Sequence, residues 1–217
     1  GCADSDSVMV TVNPLPDVIL RDDTTFCEGG EVTLDIGVFD TWDWNVGGET
    51  GQSITVDSTY EYKVVVTNIY NCLDSDSVTV TVNPLPDVIL IEDTAFCKGG
   101  EVTLDAGVFD TWNWNVGGEI GQSITVDSTY EYKVVVTNIY NCTDSDSVVI
   151  TVHELPIVTL QNDTTVCPRE VVSLDAENPG ATYLWNTAED TQTIEIDEIG
   201  VYEVTVTDAN GCEATDE

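Results

Sequence analysis

The sequence predicts an all-β protein, a tandem of small β-sandwiches in an elongated array. Two observations carry that reading. The first is a period of two in residues 59–86. There Tyr60, Tyr62, Val64 and Val66 share one face, and Glu61, Lys63 and Thr67 share the other, the mark of a half-buried strand. A polar turn over 68–75, holding Cys72, leads into Val78, Val80 and Val82, which alternate with threonines. Two such strands form an antiparallel hairpin, which Pro84 and Pro86 end. The second observation is that this stretch recurs at 129–156. Cys2, Cys72, Cys142 and Cys212 stand 70 residues apart, and so do Cys27, Cys97 and Cys167. This is an internal repeat of one supersecondary unit.

Residues 14–83 and 84–153 form the first and second repeats. They differ at 11 of 70 positions, among them Arg21/Ile91, Glu28/Lys98, Asp43/Asn113 and Thr50/Ile120. The third repeat, 154–217, has diverged but keeps the frame: Val166-Cys167, Ser173-Leu174-Asp175, Trp185, Tyr202 with Val204 and Val206, and Gly211-Cys212. It reads as incomplete, lacking its last strand. Residues 1–13 match the last strand of a preceding repeat. Two readings follow: a window cut from a longer array, which is preferred, or a stray strand that completes the third repeat of a neighbouring molecule. With no initiator Met and no signal peptide at Gly1, the chain reads as a piece of a longer or processed protein.

Within a repeat, 16–26 is expected as the first strand, with Val18 and Leu20 inward. Cys27-Glu28-Gly29-Gly30 is a turn. Val32 and Leu34 face inward from a second strand. Residues 41–46 form a third, where Trp42, Trp44 and Val46 share a face, and Gly47-Gly48 breaks it. Residues 53–56 form another, 57–59 turn, and the hairpin follows. Seven short strands in 70 residues, separated by turn residues and without helical period, read as a small immunoglobulin-like sandwich. Trp44 opposite a strand rich in Tyr and Val fits its core. Trp42 and Trp112 are alternatively sugar-stacking platforms. Tyr183 and Trp185 hold the corresponding places in the third repeat.

The chain carries 41 acidic and 5 basic side chains, a formal charge of −36. Nucleic acid and anionic membranes need a basic surface and are excluded as partners. The apolar fraction of 41% supports a core. No apolar run approaches the roughly 20 residues of a membrane helix, so membrane insertion is not expected. An enzyme is not expected either. Repeats this alike would each carry the site, yet no histidine, nucleophile elbow or paired acid in a cleft recurs. The single histidine, His153, stands where the previous copy has Asn83 and reads as a linker residue.

The run Asp23-Thr24, Cys27, Gly29, Val32, Leu34-Asp35, Trp44, Tyr62, Val64, Val66-Thr67, Cys72, Asp76-Ser77-Val78 resembles the immunoglobulin-like and PKD-like repeats of Bacteroidetes cell-surface proteins. The resemblance covers the whole chain. One PKD hallmark departs, since Gly47-Gly48 stands where a G-D-G turn would follow Trp44. The resemblance implies an extracellular, cell-surface adhesin, including the gliding-motility kind. Such proteins are exported by type IX secretion and displayed as filaments. It also implies O-glycosylation, since Asp23-Thr24-Thr25, Asp93-Thr94-Ala95 and Asp163-Thr164-Thr165 resemble the acceptor triplet of those bacteria. That makes Thr24, Thr94 and Thr164 the candidate acceptors. Asp57-Ser58-Thr59 and Asp76-Ser77-Val78 also fit. Asn162-Asp163-Thr164 is an N-glycosylation sequon by letters.

Recurrent cysteines without a CxxC pair imply disulfides rather than metal. One choice pairs them within repeats, as Cys27–Cys72, Cys97–Cys142 and Cys167–Cys212. In an immunoglobulin-like strand order those turns lie at opposite ends, roughly 20 Å or more apart, whereas a disulfide needs Cα atoms within about 7 Å. A head-to-tail array favours Cys27–Cys142 and Cys97–Cys212, with Cys2, Cys72 and Cys167 bonded to further repeats. Asp74-Ser75-Asp76 and Asp144-Ser145-Asp146 are candidate Ca²⁺ ligands, with solvated turns the alternative; no other cofactor is implied. The expected role is a structural segment of an extracellular filament or adhesin stalk serving adhesion or gliding. Neighbouring repeats are its partners. The alternative is a carbohydrate-binding module that reads a surface polysaccharide.

Overall fold

The computed structural model describes residues 1–217 and is all-β, with seventeen strands and no helix. No helix is therefore long and apolar enough to cross a membrane. The chain forms two compact units. One is Gly1–Pro86 with Thr137–Thr143, and the other is Asp87–Val136 with Asp144–Glu217. The repeats fold as tandem immunoglobulin-like β-sandwiches.

In the first unit the strands are β1 (Thr24–Cys27), β2 (Val32–Asp35), β3 (Thr41–Trp44), β4 (Ser53–Val56), β5 (Tyr60–Thr67) and β6 (Leu73–Asn83). One sheet runs β1-β6-β5-β3, and β2 pairs β4 in the second. The antiparallel β5–β6 register sets Tyr62 opposite Val78 and Val64 opposite Asp76. Alternation then puts Tyr62, Val64, Val66, Val78 and Val80 in the core with Leu34 and Trp44. The indole N–H of Trp44 donates to the Gly51 carbonyl at 2.9 Å, and the Tyr62 hydroxyl donates to the Ser58 carbonyl at 3.0 Å. The aromatic bodies are thus buried without orphaned polar atoms.

The second unit repeats the plan with β7 (Thr94–Cys97), β8 (Val102–Asp105), β9 (Thr111–Trp114), β10 (Ser123–Val126), β11 (Tyr130–Thr137) and β12 (Thr143–His153). It adds a smaller sandwich of β13 (Val172–Asp175), β14 (Thr182–Trp185), β15 (Thr193–Ile196), β16 (Val204–Thr207) and β17 (Glu213–Asp216). Here β13 pairs β15, and β14-β16-β17 form the other sheet around Trp185, Val204 and Val206.

Three expectations are corrected. The first strand does not run over 16–26, and each of the first two repeats has six strands rather than seven. Residues 16–23 lie outside the ladder although Val18 and Leu20 are buried. Pro14 and Pro16 remove two donors, and the Leu20 N–H is taken by the Asp76 carboxylate at 2.8 Å instead of by a neighbouring strand. The strand that does form, β1, starts at Thr24 and lies parallel to β6, with Thr24 beside Val80 and Cys27 beside Asn83. Second, the turn expected over 68–75 is shorter, because β6 begins at Leu73. The Asn68 carboxamide oxygen accepts the N–H groups of Tyr70 and Cys72. Asn71 takes φ 58°, so the reversal is complete by Cys72. Third, 41–46 is a strand only as far as Trp44. The Trp44 N–H and the Val46 carbonyl both bond to Glu49, making a turn over Gly47-Gly48.

Candidate functional site

The chemistry of the fold gathers at the ends of β1 and β7. After β1 the chain turns at Gly29, whose φ of 83° suits glycine. The Glu28 N–H donates to the Asn83 carbonyl at 2.8 Å and the Gly30 N–H to the Cys27 carbonyl at 3.0 Å. A Cβ on Gly30 would stand 3.0 Å from the Phe26 ring and 3.1 Å from that carbonyl. The turn therefore holds Cys27 beside Asn83 and Pro84.

The turn 138–142 belongs to the same compact unit. The Asn138 side-chain oxygen accepts the N–H groups of Tyr140 (3.0 Å) and Cys142 (3.1 Å), and its Nδ2 donates to the Pro84 carbonyl at 2.9 Å. One asparagine thus orients Cys142 and ties it to the residue that follows Cys27's strand partner. Cys27 and Cys142 form a disulfide, with Cα atoms 5.6 Å apart. Cys97 and Cys212 form another in the second unit, at 5.5 Å. Each bond spans 115 residues.

Cys2, Cys72 and Cys167 are free thiols, with Cys2 and Cys167 exposed and Cys72 half-buried. A Cys27–Cys72 bond is geometrically closed. Cys27 aligns with Asn83, the last residue of β6, and Cys72 precedes its first. Eleven strand residues put the two thiols roughly 30 Å apart or more.

Asp208 replaces Asn138 in the third repeat. Its carboxylate accepts the Cys212 N–H at 2.9 Å and the Asn210 N–H at 2.8 Å. The Cys212 bond is the main reason its pKa lies below the ordinary value, and His153 nearby adds to the effect. His153 is the last residue of β12 and pairs with Cys97. Asp35, Asp105 and Asp175 are also held below the ordinary value. In each the carboxylate accepts first a glutamine amide (Gln52, Gln122, Gln192) and then the backbone N–H of residue 37, 107 or 177.

The acidic triplets are strand residues. Asp76 and Asp146 point to the core side of β6 and β12, where they hold the Leu20 and Leu90 N–H groups (2.8 and 2.7 Å). Asp216 does the same for Leu160 at 2.7 Å. Asp74 and Asp144 accept only the N–H of the next residue. No group of three or more His, Cys, Asp or Glu side chains stands together.

Thr24 and Thr94 are half-buried at the starts of β1 and β7, and Thr164 is exposed and outside any strand. Trp42 and Trp112 pack half-buried against the cores, and each donates its indole N–H to a glycine carbonyl at 3.0 Å.

The sequence reading missed the two carboxylate clasps. Besides Asp76, Asp23 accepts the Thr79 N–H at 2.8 Å, and Asp93 accepts that of Val149. Their signal was present in the recurrence of these acids once per repeat. It also missed a cleft in the third repeat. Residues 164–167 form no strand, and a cavity of about 560 Å³ opens beside them, lined by Leu160, Val166, Val172, Ile199 and Tyr202.

No known family profile matches the chain, and no curated protein matches it. Among solved structures it is similar to the I-band fragment I67–I69 of titin, at 12% identity and TM-score 0.46, over 92% of this chain and 95% of that one. It is also similar to the eight N-terminal Ig domains of the Down syndrome cell adhesion molecule, at 11% and 0.43, over 92% and 36%. A 1.5-MDa bacterial ice-binding adhesin matches at 15% and 0.32, over 93% and 96%. At these scores the likenesses bear on neither ligand nor activity.

Proposed function

We propose that this chain is a structural segment of a long extracellular filament or adhesin stalk on a bacterial cell surface, serving adhesion or gliding. Its division into repeats at 14–83, 84–153 and 154–217 belongs to the same proposal. The observation that carries it is the pair of disulfides, each of which joins a cysteine of one repeat to the turn cysteine of the following repeat. A bond inside one domain protects that domain. A bond between successive repeats limits how far the chain stretches under load. Disulfides persist in oxidising, extracellular surroundings, and a charge of −36 keeps a surface protein soluble and self-repelling. In this reading Thr24, Thr94 and Thr164 are the acceptors for O-linked sugar. A polysaccharide-binding role gains no support from Trp42 and Trp112, whose rings and N–H groups are engaged by the protein itself.

The test is labelling of intact, unpermeabilised cells with an antibody against residues 14–83. Label along surface fibres is the expected result, and label confined to lysed cells contradicts it. A tryptophan-fluorescence titration with surface polysaccharide is expected to show no saturable change.

A further inference from the structure

Two segments of the second repeat, 84–97 and 142–153, run side by side in the same direction. Asn138 accepts the Cys142 N–H and donates to the Pro84 carbonyl at 2.9 Å. Further along, Asp146 accepts the Leu90 N–H and Asp93 accepts the Val149 N–H. Then β7 pairs in parallel with the last residues of β12, ending with Cys97 beside His153. From Leu90 to Cys97 the partners stay 56 positions apart. An unchanged offset means that both segments advance at the same rise per residue. Residues 143–153 are a strand, so both are extended. A strand rises about 3.3 Å per residue, close to the limit of roughly 3.3–3.6 Å for a taut chain.

Both segments are covalently continued at both ends. At the start, Pro84 follows Asn83 of β6, and Cys142 is bonded to Cys27 of β1. Cys27 and Asn83 are themselves register partners. At the finish, His153 leads on to Glu154, and Cys97 is bonded to Cys212. We propose that the two segments form a two-strand covalent tension member, and that residues 98–141 hang from it as an unloaded loop. Each strand alternates between backbone and disulfide as it passes from repeat to repeat. One runs from β6 through 84–97 to Cys212. The other runs from β1 through Cys142 and β12 to Glu154. The loop leaves at Cys97 and returns at Cys142. It carries β8 to β11 and most of the buried core, Leu104, Trp114, Tyr132 and Val134 among it. The core of a loaded repeat can then open and refold without changing the length of the stalk.

The direction of pull on each strand decides what the hydrogen bonds carry. With both disulfides made, each strand is drawn at both ends, and the two are drawn in the same sense. Neither slides past the other, so the bonds between them bear no shear. With both disulfides reduced, tension enters only at Pro84, the head of the first segment. It leaves only at His153, the foot of the second. The parallel strands β7 and β12 are then drawn in opposite directions. Once they slip, residues 98–141 join the load path and lengthen the chain by roughly 100 Å or more.

This inference deepens the stalk reading and rests on it for the load. The test is single-molecule stretching of the full chain through azide-bearing side chains, which leave the thiols untouched. Handles at the exposed positions Thr81 and Glu213 load one strand, and handles at the exposed positions Thr25 and Thr159 load the other. Handles at Thr81 and Thr159 make a crossed pull, on the first strand at its head and the second at its foot. In the oxidised chain the two along-strand pulls are expected to show no lengthening step before a covalent bond breaks. The crossed pull is expected to show a step of roughly 100 Å or more as the parallel strands slip. Reductant should bring such steps to all three pulls. A step in either along-strand pull of the oxidised chain overturns the inference, and so does a crossed pull without one. A non-reducing peptide map of the same sample reads Cys27–Cys142 and Cys97–Cys212. Their absence contradicts the stalk reading as well, whereas an along-strand step with both bonds intact overturns this inference alone.

Discussion

Asp146 gives both oxygens to the backbone, Oδ1 to the Ser147 N–H at 2.8 Å and Oδ2 to the Leu90 N–H at 2.7 Å. Asp144 gives one, to Ser145. Truncating Asp146 leaves a part-buried N–H without a partner, which costs about 1–3 kcal/mol. Asp146→Ala is therefore expected to lower Tm by several degrees in calorimetry, with Asp144→Ala close to wild type. Equal losses in both, together with a rise in wild-type Tm on adding Ca²⁺, would support the calcium reading of these acids. Asn138 is the other residue that does two tasks. Asn138→Asp keeps the acceptor for Cys142 and loses the donor to Pro84, as Asp208 has done naturally. The recurrence of these acids and amides was legible in the sequence. Their roles were not, because a clasp between residues 56 positions apart leaves no local pattern.

Among the elements, the hairpin strands were legible because period-two burial is a local signal, and Tyr62, Val64 and Val66 are indeed buried. The first strand was misread for a physical reason. Val18 and Leu20 alternate like a strand, yet a side-chain carboxylate replaces the ladder there. The parallel pairing of β1 with β6 was equally hidden, since parallel partners lie far apart in the chain. The same pairing sets an expectation for amide hydrogen exchange. Lys98, whose N–H donates to the His153 carbonyl at 2.8 Å, and Phe96, whose N–H two residues back faces the same partner strand, should be protected. Val166, the counterpart of Phe96 in a segment that forms no strand, should exchange at close to the free-peptide rate. Equal protection in both would mean that the third repeat closes its own edge.

Two opposing effects of pH act on the whole molecule. Asp35, Asp105, Asp175 and Asp208 have depressed folded-state pKa values. Their stabilisation is fully present above the unfolded value of about 3.9, and is lost as pH falls through the folded values. Mutual repulsion under a charge of −36 works the other way and relaxes as acids are neutralised. Tm is therefore expected to rise from pH 7 to about 5 and to fall below about 4, and added salt at pH 7 should raise it. A Tm that falls steadily from pH 7 downward would contradict this balance.

Each disulfide closes a loop large enough to contribute about 2–5 kcal/mol to its unit. Their mechanical effect is larger, because the loops 27–142 and 97–212 overlap. The shortest covalent path from Gly1 to Glu217 runs to Cys27, crosses to Cys142, returns along the chain to Cys97 and crosses to Cys212. That path is about a third of the chain's residues, hence about a third of its extended length.

Single-molecule stretching between residues 1 and 217, with and without reductant, tests the stapled-repeat account most directly. The account expects the oxidised chain, pulled to its limit, to reach about a third of the length of the reduced chain, with the full length recovered on reduction. Equal limiting lengths in both conditions would contradict it, and would leave the repeats as separately unfolding domains on an unstapled string.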